Sequence, residues 1–325
     1  MAEITYLEAI RQGLWEEMER DERVFILGED VGAYGGAFKV TDGFLKRFGE
    51  ARVIDTPISE AAIVGAAAGA AHMGMRPVAE MQFIDFISCA YDMLTNYVAT
   101  ARYRAGLATP IVVRGPCGGF VRGGPFHSQN PEAAFFHTPG LKIVAPATAR
   151  DAKGLIKAAI RDDDPVLYLE HKWLYRRIKE VLPEGEEILT PIGRARVARE
   201  GKDLSIVTYG AMVWKSLEAA EQLEKDGVSA EVIDLRTLLP LDDAAIMATV
   251  KKTNKLLVVH EDTRTGGLAG EIAARINEQG FEWLDGPIMR VTAHDVPIPY
   301  APTLEDFVLP QTEDVVKAAR WLAAY

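Results

Sequence analysis

The side chains best suited to chemistry sit in a few short, glycine-punctuated stretches. Ser59 and Glu60 open the run EAAIVGAAAGAAHMG, where one carboxylate stands before almost no bulk. FHSQNPE carries His127 beside Ser128, and FFHTPG carries His137. GEDVG (28–32), Gln82 to Phe86, the 115–130 loop and HEDTRTGG (260–267) hold further acids, amides and aromatics. These residue types allow proton transfer at Glu60 and proton donation at His127. Each also has an ordinary alternative. A glutamate in the first turn of a helix is a dipole partner worth ~0.3–1 kcal/mol. A lone histidine is commonly structural, and Phe83 and Phe86 suit a core as well as a stacked ligand.

The elements that must position these residues alternate along the chain. Apolar periodicity predicts helices over 7–21, 59–74 (with Ser59 as N-cap), 85–106 and 148–163, and strands over 24–30, 53–57, 76–83, 110–116, 141–146 and 165–171. After a charged, proline-containing stretch the alternation resumes. Strands are expected at 203–210, 228–236, 255–262 and 287–295, and helices at 212–227, 242–254 and 267–280. This is an α/β pattern of two doubly wound, mostly parallel layers. The boundaries expected are a first domain over 1–180, a linker over 181–190 and a second domain over 191–325. Apart from His137, which precedes a strand, these stretches then fall where a strand ends, which is where open α/β sheets bind ligands.

Composition narrows the function. Lys plus Arg number 36 and Asp plus Glu 47, a formal charge of −11, which opposes nucleic-acid binding. No run is long and apolar enough to span a membrane, and the N-terminus lacks an apolar signal core. Two cysteines make neither a disulfide framework nor a CxxC metal site, so a cytoplasmic, reducing location is expected. The chain has no GxGxxG with a following acid, no GxxxxGK[ST], no HExxH and no GxSxG. Simple dinucleotide, nucleoside-triphosphate, zinc-protease and serine-hydrolase chemistries lose support.

In combination the segments resemble the beta subunit of the thiamine-diphosphate-dependent first component of 2-oxo acid dehydrogenase complexes, whose members include branched-chain, pyruvate and acetoin enzymes. The resemblance runs through LGEDVG, FGEARVIDTPISEAAIVGAAAGAAHMGMRP, FHSQNPEAAFFHTPGLKIVAP, DAKGLIKAAIRDDDPVLYLEH, EGKDLSIVTYGAMV, EVIDLRTLLPLD and DVPIPYAP. It implies a transketolase-like pyrimidine-binding domain followed by a transketolase C-terminal-type domain. It implies that Glu60 hydrogen-bonds the aminopyrimidine ring, that Phe86 stacks on it, and that Ile58 and Gln82 line it. A proton shared between Glu60 and the ring nitrogen favours the imino form, which removes the thiazolium proton. His127 matches the family's active-site histidine, which assists acyl transfer to a lipoyl disulfide. The resemblance further implies a structural potassium ion held by carbonyls and acids at Ile111, Ala159, Ile160, Asp162 and Asp164. Asp163 in RDDDP is an extra acid expected to face solvent.

One absence has the same force. The family's signature for magnesium and diphosphate is GDG followed some thirty residues later by Asn, and this chain has no GDG. The resemblance therefore implies half a site. An alpha subunit would hold magnesium and the diphosphate in a heterotetramer that also contains a second beta subunit. The dihydrolipoyl acyltransferase core and its lipoyl domain are the remaining expected partners. Ala61, Gly65 and Gly69, with Ala62, Ala66 and Ala70, give a face expected to meet another subunit. PFHSQNPEAAFFHTPG and RYRAG favour the branched-chain type over pyruvate or acetoin. The rival readings are a self-sufficient transketolase-like enzyme and a noncatalytic scaffold subunit.

Overall fold

The computed structural model describes residues 3–183 and 185–325; Met1, Ala2 and Glu184 lie outside the described residues, Glu184 within the expected linker. Two compact units form, Met1–Cys117 with Ala134–Ile192, and Gly118–Ala133 with Gly193–Tyr325. The stretch carrying His127 is thus grouped with the C-terminal unit, whereas the sequence predicts one unbroken domain over 1–180.

The first unit contains β1 (Glu3–Thr5), α1 (Tyr6–Arg20), β2 (Val24–Gly28), α2 (Phe44–Phe48), β3 (Val53–Asp55), α3 (Glu60–His72), β4 (Arg76–Glu80), α4 (Ala101–Ala105) and β5 (Val112–Cys117). After α5 (Glu132–Phe136) it continues with β6 (Lys142–Val144), α6 (Ala149–Arg161), β7 (Val166–His171) and β8 (Lys179–Val181). Six of its strands pair in parallel in the order β6-β7-β5-β4-β2-β3. The residues of β2, β5 and β7 are all buried, as expected of strands covered on both faces, whereas the edge strand β3 exposes Ile54 and Asp55. Crossover helices provide the cover. α1 starts with a capping box in which Thr5 and Glu8 satisfy each other's end of the turn. It packs against α6 so closely at Gly13 that a Cβ there would lie 2.5 Å from Ile156 Cγ2. β1 and β8 form a separate antiparallel pair, which brings order into the charged stretch after residue 176.

Two expectations of local structure are corrected. Ser59 precedes α3, but its side chain makes no capping hydrogen bond. Residues 85–106 are not one helix. They form a 3-10 stretch (Ile84–Ala90), a π-helical turn (Met93–Val98) and the short α4, closed by Gly106 at φ 67°. Hydroxyl groups compete for the carbonyls along this stretch. Thr95 Oγ1 donates to Tyr91 O at 2.9 Å and Thr100 Oγ1 to Asn96 O at 2.6 Å, while Ala99 N reaches back five residues to Leu94 O.

The second unit contains β9 (Arg196–Arg199), β10 (Leu204–Thr208), α7 (Met212–Lys225), β11 (Ala230–Asp234), β12 (Thr237–Leu239), α8 (Asp243–Thr253), β13 (Leu256–Thr263), α9 (Leu268–Gly280) and β14 (Met289–Ala293). Its five-stranded sheet has the order β14-β13-β10-β11-β9, parallel except for the edge strand β9. Two helices follow the last expected strand, α10 (Pro302–Val308) and α11 (Thr312–Ala323). Among the described residues no helix is long and apolar enough to cross a membrane.

Candidate active site

In the first unit the strand order reverses direction at β2. The chain leaves β2 for β3 on one side and returns through β4 on the other. Loops after adjacent strands diverge at such a point and open a crevice. Glu29 and Asp30 follow β2, the segment Asp55 to Glu60 follows β3, and Gln82 to Phe86 follow β4. The residues singled out from the sequence therefore converge here from three separate loops.

Local bonds fix these loops. Asp55, the last residue of β3, accepts Gly32 N at 2.5 Å and Ala33 N at 3.1 Å, tying the loop after β2 to the loop after β3. A Cβ on Gly32 would lie 2.7 Å from Asp55 Oδ2, so the clamp needs glycine. Gln82 Nε2 donates to Asp30 Oδ2 at 3.2 Å, joining the loops after β2 and β4. Asp30 itself holds φ 57°.

Glu60 is the first residue of α3 and its side chain is buried, at 9% exposure. It makes no ion pair or hydrogen bond to another side chain among the described residues. Glu29 is equally buried, and its carboxyl is held above the usual carboxylate range by burial first and by the neighbouring charge of Glu60 second. Two acids thus share one buried end of the sheet, and neither has an ion-pair partner among the described residues. That arrangement favours a ligand with a basic or hydrogen-bond-donating ring. Phe86 is half-buried on the 3-10 stretch that packs against α3, edge-on to Phe83 with centroids 6.5 Å apart. Ile58 lies two residues before Glu60 and is 82% exposed. The site residues expected in this unit fit an aromatic pyrimidine: an uncommitted carboxylate, an amide, a ring and an apolar side chain with its surface free.

The opposite face of α3 is bare. Ile63, Val64, Ala67, Ala68 and Ala71 are buried, whereas Ala61, Ala62, Ala66 and Gly69 are exposed. A Cβ on Gly69 would meet nothing within 4 Å.

The residues expected to hold potassium gather at the end of α6. Ile111 O accepts Val166 N at 3.0 Å, and Ala159 O accepts Asp162 N at 3.3 Å. Ile160 O and Asp162 O both accept Arg76 Nη1 at 2.9 Å. Lys142 Nζ lies 2.7 Å from both carboxylate oxygens of Asp162, and Arg102 pairs with Asp164. The main-chain oxygens each retain a lone pair and suit a hard cation, while side-chain cations already neutralise the carboxylates. Asp163, expected to face solvent, pairs with Arg76.

His127 belongs to the second unit. It follows a loop with φ 84° at Gly118, 62° at Phe120, 63° at Arg122 and 69° at Gly124. A Cβ on Gly123 would lie 2.7 Å from His127 O, and one on Gly124 would lie 2.3 Å from the Tyr300 ring. Gly119 N donates to Glu261 Oε1 at 2.5 Å, and Arg122 N donates to Glu305 Oε1 at 3.1 Å. Past His127, Asn130 Nδ2 donates to Glu261 Oε1 at 2.9 Å, and Tyr209 Oη donates to Glu132 Oε1 at 2.7 Å. Beside this loop lies a cavity of about 480 Å³ lined by residues that include Gln129, Asn130, Glu261, Asp262 and Asp295. HEDTRTGG and FHSQNPE lie far apart in the sequence, and nothing in either predicts that Glu261 and Glu132 hold the loop.

Comparison with known proteins agrees with this geometry. Residues 2–177 match the family described as transketolase, pyrimidine binding domain, and residues 193–315 match transketolase, C-terminal domain. The chain is 52% identical, over all of both chains, to the 2-oxoisovalerate dehydrogenase subunit beta of Bacillus subtilis. It is 46% identical to the pyruvate dehydrogenase E1 component subunit beta of the same organism, with 98% of each chain covered. Among solved structures it is similar to a split-gene transketolase described as an inactive beta4 tetramer, with TM-score 0.81 and 25% identity over 99% of this chain and 98% of that one. The chain belongs to the family of beta subunits of 2-oxo acid dehydrogenases, built on the transketolase-type pair of domains.

Proposed function

We propose that this chain is the beta subunit of a branched-chain-type 2-oxo acid dehydrogenase. It works with an alpha subunit to decarboxylate a 2-oxo acid oxidatively and acylate a lipoyl group. The observation that carries the reading is Glu60, a buried carboxylate at a helix N-terminus where the sheet reverses direction, uncommitted to any other side chain. Bound thiamine diphosphate supplies a carbon nucleophile for the 2-oxo acid and an electron sink for its decarboxylation. Glu60 holds a proton at the aminopyrimidine nitrogen. Phe86 presents its ring to that heterocycle, and Ile58 and Gln82 bound its edge. His127 acts in the second half-reaction, donating a proton to the lipoyl thiolate as the disulfide opens.

The alpha subunit supplies the magnesium and diphosphate half of the site. Two such chains and two alpha chains make the heterotetramer, and the bare face of α3 is one of its contacts. The acyltransferase core and its lipoyl domain are the downstream partners. Potassium sits at the main-chain oxygens of Ile111, Ala159, Ile160 and Asp162, with Asp164 beside them, and stiffens the turn after α6. The assembly works in the cytoplasm. The 52% identity to a 2-oxoisovalerate enzyme favours branched-chain substrates over pyruvate or acetoin.

The test is decarboxylation by the tetramer reconstituted with Glu60→Gln. Loss of about a hundredfold or more in rate supports the assignment; an unchanged rate overturns it and favours a scaffold role. Initial rates with 2-oxoisovalerate, pyruvate and acetoin decide the substrate. Tight magnesium-dependent cofactor binding by the beta chain alone would contradict the half-site. Gly65→Leu should block tetramer assembly in gel filtration, and a normal tetramer would refute the α3 contact. A melting temperature that rises with potassium and not with sodium supports the cation site; equal effects refute it.

A further inference from the structure

We propose that Glu261 is a positioning residue that closes the neck of the His127 loop and so sets where that histidine stands. The inference rests on the reading of His127 given above. One carboxylate oxygen, Glu261 Oε1, accepts from both ends of the loop, from Gly119 N at 2.5 Å and from Asn130 Nδ2 at 2.9 Å. The acceptor stands on β13, a largely buried strand between β14 and β10, so both loop ends are referred to the sheet of their unit. Glu261 is itself buried. A charge-assisted bond from a main-chain N–H and one from an amide are stronger there than in water.

The loop cannot hold its form unaided. Between Gly118 and Gly124 it places two residues other than glycine, Phe120 and Arg122, at positive φ. Such conformations persist only where surrounding contacts over-determine them. Gly119 fits beneath the neck because it has no side chain. A Cβ there would lie 2.5 Å from Leu309 Cδ1 and 3.5 Å from the carboxylates of both Glu261 and Glu305. Arg122 adds a second, more exposed tether, through Glu305 and Asp306. Between the tethers the chain carries His127, whose own N–H donates to Gly124 O at 3.3 Å. Displacing a catalytic group by as little as about 1 Å lowers rates by about a hundredfold. A single oxygen that fixes both ends of a twelve-residue loop is therefore a control point for the chemistry, although it need not touch substrate.

Hydrogen exchange on the folded beta chain tests the clasp directly. Glu261→Ala should speed exchange in residues 118–131 by about tenfold or more and leave the β2–β4 strands unchanged. Glu261→Gln keeps an oxygen acceptor and should restore most of the protection. Asn130→Ala removes one arm without touching the buried acid, and should loosen the same segment even if Glu261→Ala fails to fold. In the reconstituted tetramer, Glu261→Ala should slow acylation of the lipoyl domain while decarboxylation, read with a dye acceptor, keeps its rate. Unchanged exchange in both Glu261→Ala and Asn130→Ala overturns the clasp, as does equal slowing of the two half-reactions. His127→Ala separates the underlying reading. If its acylation rate is normal the role of His127 falls, while the exchange result still decides whether Glu261 holds the loop.

Discussion

Each unit buries a knot of acidic side chains at the carboxyl ends of its strands, and the two knots are neutralised differently. In the first unit Arg114 is fully enclosed between Glu80 and Glu170. It pairs with both, and Tyr175 Oη donates to Glu170 at 2.8 Å. In the second unit Glu132, Glu261 and Asp262 crowd together with no comparable cation on Glu132 or Asp262 among the described residues. His260 does not supply one. Burial pushes its ring down to about 4, so it is neutral at neutral pH, stacked on Tyr209 with centroids 6.3 Å apart. Glu132 responds by keeping its proton at neutral pH. Burial first, and the charge of Asp262 next, push Glu132 up to about 8, and burial pushes Asp262 up to about 6. A triad with a cation at its centre suits scaffold, although burial still holds Glu80 above the usual carboxylate range. An uncompensated cluster under a loop that carries a histidine suits a place where charge is used.

The largest expected effect breaks the first knot. Arg114→Ala leaves two buried carboxylates without their partner, and should destabilise the chain by ~3–5 kcal/mol in urea denaturation. The matching lesion in the second unit, Glu132→Gln, removes an ionisable group that has no cation to lose, and should cost about 1 kcal/mol or less at pH 7. Equal losses from the two variants would show that the second cluster is compensated after all.

The pH dependence of stability should separate the knots next. With its ordinary value at 4.5 and its folded value at about 8, Glu132 holds a proton in the folded chain that the unfolded chain has released. Stability contributed by that proton is complete below the ordinary value and falls as pH rises through about 8. Each such proton gives a slope of about −1.4 kcal/mol per pH unit. Asp262 adds a similar term between 3.8 and about 6. The groups acting on Glu132 are Tyr209, just past β10, and Glu261 and Asp262 on β13, while Arg290 acts on the neighbouring His260 and Asp295 on Asp262. Glu132→Gln should flatten the profile between pH 6 and 8, as measured by unfolding across that range. A slope that persists in the variant would place the proton on another group.

Much of this arrangement is legible in the sequence, and the limits have physical causes. The inner strands of both sheets read as continuous apolar runs because they are covered on both faces. Glu60, and Gln82 with Phe86, follow such runs, and the fold brings their two loops to one crevice beside the loop after β2. The broken helix over 84–105 was not legible, because apolar spacing does not distinguish a π turn from an α turn when hydroxyls take the carbonyls. Nor was the attachment of residues 118–133 to the second unit. No change of composition occurs at Cys117, and the bonds that fix the loop, Arg122 to Glu305 and Gly119 to Glu261, join residues more than a hundred positions apart. The clustering of Glu132 with Glu261 and Asp262 is hidden for the same reason.

The smallest expected effect is also the cleanest comparison, because the same atom is removed from each knot. Tyr175→Phe deletes a hydroxyl that donates to Glu170, the ion-pair partner of Arg114; a bond to such an acceptor contributes ~1.5–3 kcal/mol. Tyr209→Phe deletes a hydroxyl that donates to Glu132 at 2.7 Å, an acid that is protonated below about 8. A bond to that neutral acceptor contributes only ~0.5–1.5 kcal/mol. At pH 7 the first substitution should therefore cost more than the second. At pH 9 the order should narrow or reverse, because Glu132 is then ionised and Tyr209 is its nearest donor. Unfolding of the two variants at both pH values checks this. A cost for Tyr209→Phe that does not change with pH would mean that Glu132 is already charged at neutral pH, and the contrast between the two knots would collapse.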